Sequence, residues 1–182
     1  MKKVLVTGGL GFIGSNLIKL LISKKYFVIN LDKISYASNF YNVKDFSKSK
    51  KYKFIKVDLN NKSKIFNILK KYKPSIIFNL AAETHVDRSI DSPFDFIKSN
   101  IFGVFNLLES FRKYYLLNKS SKLIHISTDE VYGDLKNKER SNELYRYKPS
   151  SPYSASKASA DHLVKSYVRT YKLDAVISNC CN

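Results

Sequence analysis

The chain has few cysteines and no long apolar run. Its two cysteines, Cys180 and Cys181, are adjacent and cannot form the disulfide framework of a small secreted domain. No run approaches the ~18 apolar residues of a membrane-spanning helix, so we expect no membrane segment. Lys2 and Lys3 precede only a short apolar run, so we expect no signal peptide. Together these absences predict reduced thiols and a cytoplasmic location.

Metal-ligating and acidic side chains are also sparse. The three histidines, His85, His125 and His162, lack the spacing of metal ligands, and we predict no metal site. Lysine and arginine number 32 against 15 aspartates and glutamates, which gives a net charge of +17. Because the lysines are scattered and form no single stripe, we do not expect a nucleic-acid partner. The charge would still attract acidic ligands such as nucleotide diphosphates.

Apolar runs and helical periodicity alternate along the chain. With 182 residues, 44% of them hydrophobic, it has the size and composition of one globular domain. Strands are predicted at residues 3–6, 26–31, 53–57, 75–80, 123–127 and 175–178. Helices are predicted at residues 13–21, 65–72, 93–115 and 152–171, with a short one near 43–46. This alternation predicts an α/β fold with a doubly wound parallel sheet, which binds ligands beyond the carboxyl ends of its strands.

The segment Thr7–Gly14 follows the first predicted strand and leads into the first predicted helix. Strand, glycine turn and helix are the context of a dinucleotide-binding loop. Gly8 can adopt the positive φ of a tight turn, Gly11 lets a pyrophosphate approach the backbone, and Gly14 lets the helix pack closely on the strand. The free N–H groups at the helix start would face the phosphates. The alternative is a plain strand-to-helix turn.

Asp32 follows the second predicted strand, 18 residues after Gly14. This is close to the spacing of ~20 residues at which a carboxylate binds a ribose hydroxyl of the dinucleotide. A carboxylate there would repel the 2′-phosphate of NADP, so the predicted cofactor is NAD. Lys33, next in the chain, carries the opposite charge and weakens this preference.

Tyr153 and Lys157 lie one turn apart at the start of the last predicted helix. Residues at this spacing share a helix face, so the phenol and the ammonium can lie together. A nearby cation favours the phenolate, which could take a proton from a sugar or alcohol hydroxyl while a nicotinamide accepts hydride. The alternative is an ordinary surface pair, and the upstream dinucleotide loop favours the catalytic interpretation.

The triplet Thr128-Asp129-Glu130 directly follows the fifth predicted strand. Two adjacent carboxyl groups can differ in burial and hydrogen bonding, so that one acts as an acid and the other as a base. The alternative is a helix N-cap followed by a first turn with favourable acidic residues. From these residues alone, the capping interpretation is favoured.

Longer segments resemble the dTDP-glucose 4,6-dehydratase family of the extended short-chain dehydrogenase/reductase superfamily. They are residues 32–37, 80–90, 125–134 and 151–158, and the resemblance covers essentially the whole chain. Its most specific part is the triplet 128–130, because 4-epimerases and decarboxylases of the superfamily lack this acid–base pair. Alternatives are a UDP-glucose 4,6-dehydratase, another NAD-dependent nucleotide-sugar epimerase or dehydratase, or a module that binds NAD without turnover.

The resemblance implies a lyase that converts dTDP-glucose to dTDP-4-keto-6-deoxyglucose in nucleotide-sugar biosynthesis of the dTDP-rhamnose type, with tightly bound NAD as transient hydride acceptor. It implies that Tyr153, helped by Lys157, deprotonates the C4 hydroxyl, while Thr128 hydrogen-bonds the C4 oxygen. It further implies that Glu130 removes the C5 proton and that Asp129 protonates the C6 hydroxyl, which leaves as water.

The resemblance also implies which residues contact the ligands. Cofactor contacts would be made by Gly8, Gly11, Phe12, Ile13, Gly14, Asp32, Lys33, Ile34, Ser35, Asp58, Leu59, Leu80, Ala81, Ala82, Thr84, Ser99, Tyr153 and Lys157. Substrate contacts would be made by Thr84, Thr128 and Asn182. The helices at 93–115 and after Pro152 resemble those that form the family's homodimer.

Several departures from the family accompany this resemblance. Ser38 stands where a glycine is usual, Thr84 and Cys181 where serines are usual, and Ser99 where a threonine is usual. The family also has roughly a further half chain, including a lobe that grips the nucleotide. We therefore expect residues 1–182 to be the NAD-binding Rossmann domain, truncated before the carboxyl-terminal substrate lobe.

Overall fold

The computed structural model describes residues 1–136 and 139–181, which form one six-stranded parallel sheet with helices on both faces. The strands are β1 (Lys3–Thr7), β2 (Phe27–Asp32), β3 (Tyr52–Lys56), β4 (Ile76–Asn79), β5 (Lys122–Thr128) and β6 (Ala175–Cys180). The helices are α1 (Phe12–Ser23), α2 (Lys62–Tyr72), α3 (Val86–Asp91), α4 (Pro93–Phe96), α5 (Gly103–Leu117) and α6 (Pro152–Tyr171). All six predicted strands are present, and the predicted fold class is confirmed.

The strand order is β3-β2-β1-β4-β5-β6, and every neighbouring pair is parallel. β1 lies between β2 and β4, so the direction in which the sheet is built reverses at this point. Such a reversal opens a crevice at the carboxyl ends of the central strands, which is where doubly wound sheets bind ligands.

The central strands are buried on both faces. Val4 and Val6 belong to the apolar cluster of Ile18 in α1, while Leu5 between them belongs to the cluster of Leu107 in α5. All five side chains are fully buried. Burial of each such side chain contributes about 1.5–3 kcal/mol, so the sheet is a firm base for the loops at its edge.

The helix predicted over residues 93–115 is present as a helical run that begins at Pro93, but it is not α-helical throughout. A π-helical segment, Ile97–Phe102, joins α4 to α5, and the separate short helix α3 precedes them. Phe94 and Ile97 are 67% and 41% exposed. A π-helical turn contains more residues than an α-helical turn, so it shifts which side chains face the sheet.

The buried side chain of Asn100 fixes the orientation of the π-helical segment Ile97–Phe102. This side chain is 1% exposed, and its Oδ1 accepts a hydrogen bond from the Glu83 N–H at 2.8 Å. Its Nδ2 donates to the Glu83 carbonyl and to Ser156 Oγ, both at 2.9 Å. A buried amide must satisfy its hydrogen bonds, so these contacts fix the rotation of the helix.

Two short features position residues near the sheet edge. The helix predicted near residues 43–46 is instead a 3₁₀ turn, Phe40–Val43, because the Asn39 side chain accepts from the Tyr41 N–H and starts the turn earlier. A second 3₁₀ turn, Asp129–Tyr132, follows β5 directly.

Among the described residues, none of the helices combines the length and apolar character needed to cross a membrane.

α6 begins at Pro152, as predicted, and a capping box closes its first turn. Ser151 Oγ accepts from the Ser154 N–H at 3.0 Å, and the Ser151 N–H donates to Ser154 Oγ at 2.9 Å. Pro152 occupies the first helical position, where its missing N–H costs nothing. These contacts fix the first turn of α6, which carries Tyr153.

Candidate active site

A cavity of about 490 Å³ lies at the carboxyl ends of the strands. Its lining includes every predicted cofactor residue except Ile34, together with Thr128 and Glu130 of the triplet. Asp129 lies outside this lining, and Asn182 lies outside the described residues. A larger hollow of about 760 Å³ between α2 and α5 shares a single lining residue with it. The smaller cavity is therefore the place where the predicted site residues meet.

The glycine turn between β1 and α1 exposes backbone to this cavity. Gly8 has a φ of 70°, and its N–H donates to the Leu31 carbonyl at 2.8 Å. Gly11 is the N-cap of α1, and no side chain caps the first N–H groups of this helix. A Cβ on Gly11 would meet only the Gly8 carbonyl oxygen, at 3.3 Å. An uncapped helix start with open backbone is suited to a phosphate group.

Gly14→Ala should destabilise the protein by about 2–3 kcal/mol, as expected for an overpacked site. The added Cβ would lie 2.3 Å from the Gly8 carbonyl oxygen and 2.8 Å from Gly9 Cα, both backbone atoms of the turn. Urea denaturation measures the loss. Gly11→Ala is the matched control, and we expect it to cost less than about 1 kcal/mol. Equal losses in the two variants would contradict the packing argument.

Asp32 connects β2 to two loops through its carboxylate. The side chain is 6% exposed, and Oδ2 accepts from the Leu10 N–H at 3.0 Å. Oδ1 accepts from the Ile34 N–H at 2.8 Å and from Ser38 Oγ at 2.7 Å. These three hydrogen bonds fix the orientation of the carboxylate at the end of β2. Ser38, one of the departures from the family pattern, therefore adds a hydrogen bond to Asp32.

Ile34 contributes to the site through its backbone. Its φ of 63° lies in the left-handed region, which is unfavourable for a β-branched residue. The conformation turns its N–H toward the Asp32 carboxylate, while Ile34 itself is absent from the cavity lining. Such backbone strain is common where a loop is held in place for a ligand.

Lys33 is paired with a buried carboxylate. Its Nζ lies 2.7 Å from Glu83 Oε1, and Glu83 is 8% exposed. A charge-assisted hydrogen bond of this length engages the lysine charge directly. The ion pair therefore offsets the positive charge that weakened the predicted preference for NAD over NADP.

Tyr153 and Lys157 both line the cavity from one face of α6. Lys157 Nζ donates to the Ile126 carbonyl of β5 at 2.7 Å. Burial lowers the pKa of Lys157 to about 8, while the charge of Asp161 opposes this change. Burial, followed by the charge of Glu130, raises the pKa of Tyr153. The expected lowering of the Tyr153 pKa by Lys157 is therefore not found.

The triplet 128–130 forms a capped turn at the cavity. Thr128 Oγ1 accepts from the Glu130 N–H at 3.2 Å and donates to Asp129 Oδ1 at 3.3 Å, which confirms the capping interpretation. The same turn brings Glu130 into the cavity lining. Burial, followed by the charge of Asp129, raises the pKa of Glu130. A carboxylate with a raised pKa is a stronger base once it is ionised.

The lining also contains residues that the sequence argument did not assign. These are Leu31, Ala37, Ser38, Val57, His85, Ile126, Ser127 and Cys180. Several lie at or next to the carboxyl ends of β2, β3, β5 and β6, so their position at the edge of the predicted sheet could have identified them. A buried polar cluster around Asp161, behind the lining, gave no sequence signal because its members come from several elements.

Known nucleotide-sugar enzymes resemble this chain over its whole length. A dTDP-glucose 4,6-dehydratase from Neisseria gonorrhoeae is 46% identical over 188 residues, covering 100% of this chain and 54% of that protein. The crystal structure of dTDP-glucose 4,6-dehydratase from Bacillus anthracis in complex with NAD matches with a TM-score of 0.89 and 38% identity, covering 100% and 55% of the two chains. UDP-glucose 4-epimerase from Thermus thermophilus in complex with NAD matches with a TM-score of 0.86 and 33% identity, covering 97% and 54%.

A model of the family described as GDP-mannose 4,6 dehydratase matches residues 5–182. The chain belongs to the GDP-mannose 4,6-dehydratase family. The predicted resemblance to the dTDP-glucose 4,6-dehydratases is also confirmed, by relatives that carry this name. This chain spans about half the length of the curated relatives it matches.

Proposed function

We propose that the full-length protein is a lyase that converts dTDP-glucose to dTDP-4-keto-6-deoxyglucose with NAD as its cofactor. The observation that carries the proposal is that Thr128, Glu130 and Tyr153 line one cavity with the glycine turn. 4-Epimerases share the fold, but the resemblance implies that they lack the carboxyl pair of the triplet. Residues 1–182 would be the NAD-binding domain of an enzyme in nucleotide-sugar biosynthesis of the dTDP-rhamnose type.

The cavity fits a dinucleotide by its shape and its charges. Gly11 leaves room for a pyrophosphate at the start of α1, where N–H groups lack a side-chain cap. Asp32 places a carboxylate at the cavity wall, where it would accept a hydrogen bond from a ribose hydroxyl. The remaining predicted cofactor residues, Ile34 apart, line the same space.

Asp32→Asn should weaken NAD binding about 10–100-fold, since it removes a charged hydrogen-bond acceptor for the ribose. NADP binding should not weaken, because the repulsion of its 2′-phosphate is also lost. Titration of the full-length protein with each dinucleotide measures both constants. Ser38→Ala is the matched control, since it removes the 2.7 Å hydrogen bond to Asp32 but keeps the carboxylate. An equal loss of NAD affinity in both variants would show that the loop, and not the charge, matters.

The residues of the site divide the proposed reaction between them. Tyr153 would take the proton of the C4 hydroxyl, and Thr128 would hydrogen-bond the C4 oxygen. NAD, when bound, supplies an acceptor for the C4 hydride and the means to reduce C6. A ketone at C4 acidifies the C5–H, which Glu130 would deprotonate. Asp129, whose carboxylate lies against Thr128 beside the cavity, would protonate the departing C6 hydroxyl.

An assay of the purified full-length protein with dTDP-glucose, UDP-glucose and GDP-mannose side by side tests the proposal. We expect the 4-keto-6-deoxy product, with the highest kcat/KM for dTDP-glucose. A higher value for UDP-glucose would select the alternative UDP-glucose 4,6-dehydratase, and a higher value for GDP-mannose would match the description of the family. Formation of a 4-epimer without loss of water would overturn the dehydratase assignment.

An exposed apolar surface supports a homodimer. Phe94, Ile97, Phe102 and Phe105, from α4 to the first turn of α5, are between 37% and 67% exposed. Large exposed apolar side chains on neighbouring turns are typical of protein–protein interfaces. We infer that this surface packs against its copy in a second subunit. Sedimentation velocity of the full-length protein should show a dimer, and a monomer at micromolar concentration would contradict the inference.

The remaining expectations concern location and other ligands. A cytoplasmic location fits the proposal, since Cys180 and Cys181 are free and exposed and a reducing compartment would keep them so. In the part of the chain that the structure describes, no group of acidic, histidine or cysteine side chains could hold a metal ion. The absence of a nucleic-acid partner stays a prediction.

A further inference from the structure

A buried polar cluster beside Tyr153 and Lys157 has no part in the chemistry proposed above. Its centre is Asp161, one turn after Lys157 on α6 and 0% exposed. The Ile126 carbonyl of β5 accepts from Lys157 Nζ at 2.7 Å. The hydroxyl of the next residue, Ser127, donates to Asp161 Oδ2 at 2.8 Å. Neighbouring residues of β5 therefore hold the Lys157 ammonium and the Asp161 carboxylate in the interior, one helical turn apart on α6 and without a direct salt bridge between them.

The side chains around the Asp161 carboxylate act as donors. Oδ2 also accepts from Tyr147 OH at 2.9 Å and from Asn179 Nδ2 at 3.4 Å. Oδ1 faces His125 Nε2 at 3.5 Å, and neither atom has a closer partner among the described residues. Burial raises the pKa of Asp161, while the hydrogen bonds from Ser127 and Tyr147 and the charge of Lys157 lower it. These donors and the nearby cation favour the ionised carboxylate.

The hydrogen bonds from Thr7 through Asn79 to His125 determine which ring nitrogen of His125 carries the proton. Thr7 Oγ1 accepts from the N–H groups of two cavity-lining residues, at 3.2 Å and 3.1 Å, so its proton goes to Asn79 Oδ1 at 2.7 Å. Asn79 Nδ2 consequently points to His125 Nδ1, at 2.9 Å. A neutral imidazole that accepts at Nδ1 carries its proton on Nε2, which lies 3.5 Å from Asp161 Oδ1 without forming a hydrogen bond to it.

We propose that Asp161 is a positioning residue, whose buried carboxylate keeps the positive charge on Lys157 and is itself oriented by the hydrogen bonds from Ser127 and Tyr147. The proposal rests on the proposed function, in which Tyr153 takes the C4 hydroxyl proton beside the Lys157 ammonium. The ammonium is a buried charge that donates to one backbone carbonyl, so a nearby carboxylate supplies the compensating negative charge.

The surrounding charges make Asp161 the decisive neighbour. Burial lowers the pKa of Lys157 to about 8 and the Asp161 charge raises it, while burial followed by the Lys157 charge keeps the pKa of His125 well below its usual value. The charges of Asp161 and then Cys180 raise the pKa of Lys157, and His125 faces it from β5. Tyr153, one turn before Lys157 on α6, lies near Glu130 and Asp129 of the 3₁₀ turn. Loss of the Asp161 charge therefore lets Lys157 release its proton at lower pH.

Asp161→Asn in the full-length enzyme tests the proposal through a pH profile. The rate of sugar oxidation at C4 is followed in single turnovers from neutral to alkaline pH. We expect the alkaline fall in rate to move to lower pH by about one unit or more. Tyr147→Phe, which removes one hydroxyl donor and keeps the carboxylate, should leave the fall in place. A rate lowered equally at every pH in Asp161→Asn would overturn the proposal.

Urea unfolding tests the same pairing without cofactor or substrate. We expect Asp161→Asn to lower the unfolding midpoint in the wild-type protein and to lower it less in a Lys157→Met background, where no cation needs a partner. Equal losses in the two backgrounds would overturn the proposal.

Two further outcomes are also decisive, one in the unfolding experiment and one in the turnover assay. If Asp161→Asn does not fold, the double variant should fold, because neither charge is left alone; an unfolded double variant counts against the pairing. If the wild-type protein turns over no nucleotide hexose, the proposed function fails, and the unfolding cycle still decides the charge pairing.

Discussion

Glu130→Gln in the full-length protein should block the loss of water while the sugar is still oxidised at C4. The amide keeps the size of the side chain but cannot take the C5 proton. Loss of a general base lowers turnover by about 10²–10⁴-fold. The 4-keto sugar that retains its C6 hydroxyl should accumulate, and mass spectrometry of quenched reactions detects it. If this variant forms 6-deoxy product at the wild-type rate, the assignment of the base is wrong.

Glu109→Gln is the control for a general loss of stability. Glu109 lies outside the cavity lining, and hydrogen bonds from Arg112, above all, together with Tyr167 and Lys62, lower its pKa to about 2. Its replacement removes a stabilising ionised group at neutral pH, where the folded carboxyl is fully charged. We expect a lower urea midpoint with unchanged kcat, which would separate the effect of the site from that of the fold.

Tyr153→Phe should slow oxidation at C4 by about 10²–10⁴-fold, because the phenyl ring cannot take the hydroxyl proton. A substrate deuterated at C4 should then show a larger isotope effect on kcat, since C–H cleavage becomes rate-limiting. Tyr147→Phe is the matched control, because its hydroxyl bonds to Asp161 and the residue is not in the cavity lining. Unchanged turnover in Tyr153→Phe would exclude its role as the base.

The features that the sequence predicted well depend on local patterns. The apolar runs that form β1 and β4 are short, and β1 is buried on both faces. A glycine turn is likewise recognised from residues next to one another in the chain. The π-helical segment at 97–102 was not predictable in this way. Its rotation depends on Asn100, whose partners Glu83 and Ser156 belong to other parts of the chain.

The location of the site was predictable, but its electrostatics were not. The rule that ligands bind at the carboxyl ends of parallel strands brings Asp32 and Glu130 to one edge of the sheet. The spacing of Tyr153 and Lys157 predicted that they share a face, but not that the ammonium binds the Ile126 carbonyl. The pKa of Tyr153 depends on burial and on the charge of Glu130, and both require the folded chain.

A single turnover of the full-length enzyme with dTDP-glucose deuterated at C4 tests whether the hydride from C4 returns to the same sugar. We expect the deuterium at C6 of the 4-keto-6-deoxy product, because bound NAD would supply both the acceptor for the C4 hydride and the hydride for C6. Release of the deuterium to water, or a product that has kept its C6 hydroxyl, would exclude this course of the reaction.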